Sequence, residues 1–270
     1  MAIAMALNIV QLGAKSERWR TMLSAGSPAR LPPLRVYHYL VTAYGASMVL
    51  PGPVGEALRI YLLRRRHGIS IGLGTAVAVL EKLFDGLGLI LILAPLPFLL
   101  TLPRPAALTL GALCLAGLAV VLLVVLVARR APADVFAGRL ARLAHLAPGL
   151  ESFRRPAIFL RASALSLGAH LLDAVTILLL MRAVGLDLPW ISASLVILAL
   201  RLAMIVPLTP GHVGTLEASI TAALALLGTR PEQAVAFALV YHALQLFPVL
   251  VLAASGTTLV TEARAAYTTR

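Results

Sequence analysis

The feature that most constrains this chain is a set of apolar runs long enough to cross a lipid bilayer. Residues 105–128 contain no charged side chain, and residues 162–181 are interrupted only by Asp173. Two further runs without charge cover residues 86–103 and 233–261. One spanning helix needs about 20 such residues. We therefore predict an all-α polytopic membrane protein.

Composition excludes the main soluble alternatives. Of the 270 residues, 60% are hydrophobic and 13% are charged, whereas a soluble domain carries about 25% charged residues. The only cysteine, Cys114, lies inside an apolar run, which excludes a disulfide framework and a thiolate metal cluster. We expect no metal and no cofactor. Residues 1–14 lack the features of a signal peptide, and we interpret them as the start of a helix that continues to about Leu23.

The basic residues, which give a formal net charge of +12, lie mostly in the loops between apolar runs. Lys15, Arg18 and Arg20 belong to the first of these loop clusters. The positive-inside rule then places the clusters and the C-terminus in the cytoplasm, with the chain in the inner (plasma) membrane. Only Arg104, Arg182 and Arg230 would face outward. Because topology accounts for the basic residues, we expect no nucleic-acid partner.

Two apolar segments are broken in the middle by proline and glycine. Residues 36–66 are broken at 51–55, and residues 191–227 are broken at 207–214. Proline removes a backbone donor and clashes with the preceding turn, so a helix does not continue through either position. Irregular backbone at membrane depth is tolerated only where protein or a wet cavity surrounds it. We predict two re-entrant helix pairs, each meeting at a break.

The two breaks resemble each other, since PGPVGE at 51–56 matches PGHVGTLE at 210–217. The predicted topology has the two pairs enter from opposite faces, which makes the repeat inverted and points to a transport site near the midplane. We predict one transmembrane domain over 1–270, an inverted-repeat helical bundle. Repeat one covers about 1–130, repeat two about 156–262, and an amphipathic cytoplasmic connector about 131–155. The connector is either an interfacial helix or a linker.

Ionisable residues near the first break allow two readings each. Glu56 and Arg59 are three residues apart and lie on one helix face. They form either an ion pair with each other or a contact to a lipid phosphate. Glu81 and Asp85 share the next helix face, where mutual repulsion would leave one of them protonated unless a cation lies between them. Arg59, Arg201 or Lys82 are the candidate cations. A structural network and a proton-coupling site both remain open.

The second half contains similar ambiguities. Glu217 follows the second break at the start of a helix, where it either caps the helix dipole or belongs to the site. His170 and Asp173 are three residues apart and predict a hydrogen-bonded pair, structural or functional. His242 has the same two readings.

These residues carry a family resemblance. The stretches MVLPGPVGEALR, LLRRR and AVAVLEKLFD, followed by PLTPGHVGTLE and residues 241–248, resemble the two signatures of the lysylphosphatidylglycerol synthase transmembrane family, also described as flippase-like integral membrane proteins. The chain departs from the family at Pro53 and His242, where arginine is common, and at His212, where glycine is usual. The family's aminoacyl-transferase domain is absent, so the resemblance implies a transporter and not an enzyme.

The expected function is movement of an amphipathic, phosphate-bearing lipid between leaflets through a cavity between the two broken pairs. The lipid would be a phospholipid or a polyprenyl-linked lipid. The expected lipid-binding residues are Gly52, Gly55, Glu56, Arg59, Arg201, Gly211, Gly214, Glu217 and His242. The expected ion- or proton-coupling residues are Glu81, Lys82, Asp85 and Asp173.

Two alternatives compete with this function. A non-transporting accessory protein would only hold a lipid for an enzyme of lipid or glycan synthesis. An intramembrane polyprenyl-pyrophosphate phosphatase is favoured less, because such enzymes resemble a pattern with serine and arginine after the Pro-Gly break, where this chain has His212, Val213 and Thr215. The candidate protein partners are synthesis enzymes and a second copy of the chain.

Overall fold

The computed structural model describes residues 1–50, 53–99, 104–130, 147–204 and 209–268. Within these ranges the regular structure is helical and includes no strand. The α-helices are α1 (Ala2–Gly26), α2 (Pro33–Val49), α3 (Val54–His67), α4 (Ile71–Leu93), α5 (Leu96–Leu99), α6 (Arg104–Arg130), α7 (Ala147–Arg154), α8 (Pro156–Ala183), α9 (Ser192–Ala203), α10 (Thr215–Ala225) and α11 (Pro231–Thr268).

Three of the described helices are long and apolar enough to cross a membrane. They are the Ala107–Arg130 part of α6, the whole of α8, and the Pro231–Ser255 part of α11. Helix α4 has 23 residues but carries Glu81, Lys82 and Asp85 among its apolar side chains. The prediction of an all-α, multi-pass membrane protein is confirmed.

Both predicted helix breaks are present. Helix α2 ends at Val49 and α3 begins at Val54. Helix α9 ends at Ala203 and α10 begins at Thr215, and the described residues between them include a 3₁₀ turn at Pro210–His212. Pro51, Gly52, Pro207 and Leu208 lie outside the described residues. The described helices therefore stop on either side of both proline- and glycine-containing segments.

The chain divides into two compact units. The first combines residues 1–13, 34–59 and 172–270, and the second combines residues 14–33 and 60–171. The predicted repeats divide the chain differently, and that assignment stays a prediction. Residues 131–146 of the predicted connector lie outside the described residues. Its described end is α7, where a Cβ on Gly149 would come within 2.5 Å of the Ala76 Cβ of α4.

Close helix contacts build the core of the first unit. Helix α10 packs against both α9 and α11. Helix α2 approaches α11 so closely that a Cβ on Gly45 would lie 2.6 Å from the Ala253 Cβ. Leu12, Val41 and Val249 are buried together beside this contact. Helices α10 and α2 therefore both lie against the long helix α11.

Aromatic residues fill the core of the second unit. The ring centroids of Phe84, Phe153 and Phe159 lie 4.9 to 5.6 Å apart, within the range of favourable aromatic pairs. Trp19 of α1 is fully buried. Helices α4, α6 and α7 pack against one another around these rings.

Candidate functional site

The first break depends on a glycine that permits two helices to touch. Gly55 is buried in the first turn of α3. A Cβ at this position would overlap the Ala43 carbonyl and the Ser47 side chain of α2. The start of α3 therefore lies directly against α2. Gly52, the other predicted glycine of this break, is outside the described residues.

Glu56 and Arg59 follow this contact within the first two turns of α3. Arg59 is buried, at 3% exposure, and Glu56 is half-buried. The structure thus places a cationic and an anionic side chain beside the first break, as expected for either of their two readings.

Left-handed backbone shapes the second break. Gly211, His212 and Gly214 have φ angles of 59°, 60° and 85°. Glycine adopts such angles readily, while other residues do so rarely, which gives a physical reason for the glycine usual at position 212 in the family that the sequence resembles. A Cβ on Gly211 would lie 3.2 Å from the Met48 carbonyl oxygen. The second break therefore lies against the last turn of α2, next to the first break.

His242 of α11 ties the second break to its neighbours. Its Nδ1 lies 2.6 Å from Glu217 Oε1, and its Nε2 lies 3.0 Å from the Gly211 carbonyl oxygen. The other carboxylate oxygen of Glu217 accepts the Gly214 N–H at 2.7 Å. Four of the predicted lipid-binding residues are thus joined in one cluster. The capping role of Glu217 is present as well, because Gly214 precedes the first residue of α10.

A second polar cluster of the first unit surrounds Asp173 of α8. The Tyr241 hydroxyl donates to Asp173 Oδ1 at 2.9 Å, and Arg201 lies 3.6 Å from Oδ2. Gln245 donates to the Tyr241 oxygen at 2.8 Å and accepts from Asn8 at 2.6 Å. The sequence placed Asp173 and Arg201 in different groups of residues. Their ion pair joins α8 to α9.

The expected hydrogen bond between His170 and Asp173 is wrong. The hydrogen bonds of Asp173 go to Tyr241 and Gln245. His170 Nε2 lies 3.1 Å from the Asp85 carbonyl oxygen instead. Spacing along one helix face allowed the pair, but the neighbouring helices offer each side chain a better partner.

The Arg18 guanidinium lies between Glu81 and Asp85 in the second unit. Its Nη2 is 2.8 Å from Glu81 Oε1, and its Nη1 is 2.6 Å from Asp85 Oδ1. Nη1 also donates to Ser166 Oγ at 2.7 Å. The Arg18 side chain is fully buried, and that of Glu81 is 4% exposed. Arg18 supplies the countercharge for two predicted coupling residues.

Sequence reasoning missed Arg18 because it grouped this residue with a basic loop. That placement is wrong, since Arg18 lies inside α1. Nor is it one of the three candidate cations named for this position, Arg59, Arg201 and Lys82. The helix predicted to run to about Leu23 was the available signal, because it already contained Arg18. Lys82 is exposed on α4.

The sequence model described as the lysylphosphatidylglycerol synthase TM region matches residues 1–253. The chain belongs to this family. The match includes both helix breaks and all three polar clusters, and it concerns the transmembrane region of the lysylphosphatidylglycerol synthase family, not a catalytic domain. No curated protein and no solved structure matches the chain significantly. Among the described residues, no three His, Cys, Asp or Glu side chains are placed to hold a metal ion.

Proposed function

We propose that this member of the lysylphosphatidylglycerol synthase transmembrane family moves a phosphate-bearing amphipathic lipid between membrane leaflets. The observation that carries the proposal is the contact between the second break and the end of α2, at Gly211 and the Met48 carbonyl. Where the second break lies against the end of α2, polar side chains and irregular backbone come together in one place. Within a bilayer, such a place has to be enclosed by protein or line a wet cavity.

The chemistry around the breaks suits a lipid phosphate. The positive end of the α10 dipole is already occupied by the Glu217 carboxylate, which accepts the Gly214 N–H, so we assign the phosphate contacts to cationic side chains. Arg59 and Arg201 would supply charge-assisted hydrogen bonds. A phospholipid and a polyprenyl-linked lipid both provide the phosphate that these groups would recognise.

We further propose that the two broken pairs are re-entrant and inverted. The first would enter from the cytoplasm and the second from outside, with the C-terminus cytoplasmic and the chain in the inner membrane. This arrangement follows from the arginine-rich segments and the positive-inside rule. Alternating exposure of the site to the two faces would then move the headgroup across the bilayer.

Reconstitution into liposomes with a fluorescent phospholipid tests the transport proposal. The parent protein is expected to equilibrate the lipid between leaflets. Glu56→Gln and Arg59→Ala are each expected to abolish this movement but to leave membrane insertion intact, because the apolar spans supply most of the insertion free energy. Arg64→Ala, which alters an exposed arginine at the far end of α3, is the matched control.

Two outcomes would contradict the proposal in different ways. Full activity in both Glu56→Gln and Arg59→Ala would make this pair structural. A parent protein that retains lipid through purification but never changes its leaflet distribution would favour the accessory function, in which the same site holds a lipid for a synthesis enzyme.

A further inference from the structure

Both ring nitrogens of His242 face groups that accept hydrogen bonds. Nδ1 lies 2.6 Å from a Glu217 carboxylate oxygen, and Nε2 lies 3.0 Å from the Gly211 carbonyl oxygen. The His242 side chain is 6% exposed and that of Glu217 is 17% exposed, so both contacts are largely shielded from water. Each contact therefore needs a hydrogen of its own.

A neutral imidazole has only one N–H, because its other nitrogen carries a lone pair. Two arrangements satisfy both contacts. Either His242 is an imidazolium beside an ionised Glu217, or a neutral His242 accepts from the protonated Glu217 carboxyl and donates to Gly211. Both arrangements contain one proton more than neutral histidine beside ionised glutamate. That proton belongs to the pair and not to one residue.

We infer that His242 and Glu217 form a proton-binding site whose bound proton holds the second break in place. Without this proton, one of the two contacts would bring a lone pair against an acceptor. The one remaining imidazole N–H then donates to the Glu217 carboxylate, because a charge-assisted hydrogen bond is stronger than one to a neutral carbonyl. The Gly211 carbonyl then loses its bond to α11. The second break is released from His242.

The surroundings of His242 contain few other groups able to take this proton. Glu217 comes from α10, and His212 comes from the break, where it is close enough to His242 for their charges to interact. From α8 and α9, Asp173 and Arg201 contribute an ion pair beside Tyr241. From α2, the Met48 carbonyl oxygen would lie 3.2 Å from a Cβ on Gly211. The inference therefore concerns the His242–Glu217 pair and a single neighbouring imidazole.

This inference deepens the proposed function and rests on it for its link to transport. Gly211 is the residue that lies against α2, so its release would loosen the contact between the two breaks. For Glu81 and Asp85 the sequence left a proton-coupling site and a structural network both open. There, Arg18 supplies a positive charge to both carboxylates and removes the repulsion that would favour a shared proton.

A nitroxide spin label on the second break tests the inference without any lipid-transport measurement. The label is attached to Val213→Cys, an exposed position of the break, in a Cys114→Ala background, and the protein is placed in phospholipid nanodiscs. Label mobility is recorded by electron paramagnetic resonance from about pH 5 to about pH 9, which brackets histidine titration. Mobility is expected to rise with pH. The same label at Leu226→Cys, exposed at the end of α10, is expected to show no transition.

Two substitutions are expected to fix the break in opposite states. In Glu217→Gln, the amide oxygen accepts from Gly214, and the amide nitrogen donates to Nδ1 of a neutral His242. All contacts then survive without the extra proton, so the label stays immobile at every pH. In His242→Ala, the tie to Gly211 is gone and the label is mobile at every pH. His212→Gly removes the neighbouring imidazole and is expected to titrate as the parent does.

The inference is overturned if His242→Ala leaves label mobility as in the parent at low pH, if Glu217→Gln retains the parent's transition, or if His212→Gly abolishes it. Leaflet exchange measured over the same pH range separates the two proposals. A label that responds without any lipid movement preserves the proton site and contradicts transport. Lipid movement together with a label mobility that does not change with pH supports transport and contradicts the proton site.

Discussion

Backbone angles distinguish two neighbouring residues of the second break. Gly214 has φ 85° and ψ −47°, a combination that alanine adopts only with strain of about 1 to 3 kcal/mol. His212 has φ 60°, in a region that histidine tolerates and glycine adopts freely. We predict that Gly214→Ala lowers the unfolding midpoint of the purified protein in detergent, whereas His212→Gly leaves it unchanged or raises it. Equal losses in both variants would contradict this reading of the break.

Arg18 and Arg20 lie two residues apart in α1 and differ in burial. Removal of Arg18 leaves two carboxylates without their buried countercharge, which costs about 3 to 5 kcal/mol. Arg20 forms an ion pair with Glu17, and the two side chains are 29% and 25% exposed. Removal of the Arg20 side chain should therefore lower the free energy of unfolding by less than about 1 kcal/mol. Thermal unfolding of Arg18→Ala and Arg20→Ala should show a large shift only in the first. Comparable shifts would mean that the buried network contributes little.

Single residues show how far sequence reasoning reaches. The shared face of Glu81 and Asp85 follows from helical spacing, and so does the position of Glu217 at the start of α10. Their partners Arg18 and His242 lie on other helices. Helical spacing relates only residues a few positions apart, so it does not predict these contacts. His242 was named only as a candidate, because nothing in its sequence context indicates two acceptors around its ring.

Helix ends were predicted best where proline and glycine occur together. Near the predicted breaks at 51–55 and 207–214, α2 ends at Val49 and α3 begins at Val54, and α9 ends at Ala203 and α10 begins at Thr215. The apolar run 86–103 was predicted to be long enough to cross the bilayer, but α4 ends at Leu93 and α5 is a separate short helix. Pro95, which lies between α4 and α5, explains the difference, because proline prevents a helix from continuing through it. Hydropathy alone did not reveal this interruption.

Contact between α2 and α3 gives a prediction at the level of helix pairs. A Cβ on Gly55 meets the Ala43 carbonyl, which cannot move without displacing α2, so Gly55→Ala should cost about 1 to 3 kcal/mol. Gly168 of α8 has no heavy atom within 4 Å of the position that its Cβ would take. Gly168→Ala should therefore be neutral or stabilising, since alanine favours helix. The unfolding midpoints of the two variants test this, and an unaffected Gly55→Ala would exclude the close approach.

Topology is the prediction that concerns the whole molecule. If the second pair enters from outside, a cysteine at Arg230 should react with a membrane-impermeant thiol reagent in intact cells, whereas a cysteine at Arg155 should not. Both arginine side chains are exposed. The nearby glycines are less suitable for a cysteine, because Gly149 is packed against Ala76 and Gly228 has a left-handed backbone. Native Cys114 lies within the α6 span and should stay unlabelled. Equal labelling of the two introduced cysteines would exclude the inverted topology.

The bond from Arg18 to both carboxylates of α4 has a consequence for biosynthesis. The ribosome delivers α1 before α4, so the arginine is already in place when Glu81 and Asp85 leave the translocon. Each of these carboxylates would otherwise oppose integration by about 2.5 to 3.5 kcal/mol at a helix centre. We expect Arg18→Ala to lower the fraction of α4 that integrates in a glycosylation-mapping assay, whereas α6, uncharged along residues 105–128, integrates as before. Unchanged integration of α4 would show that this helix enters the bilayer without help from α1.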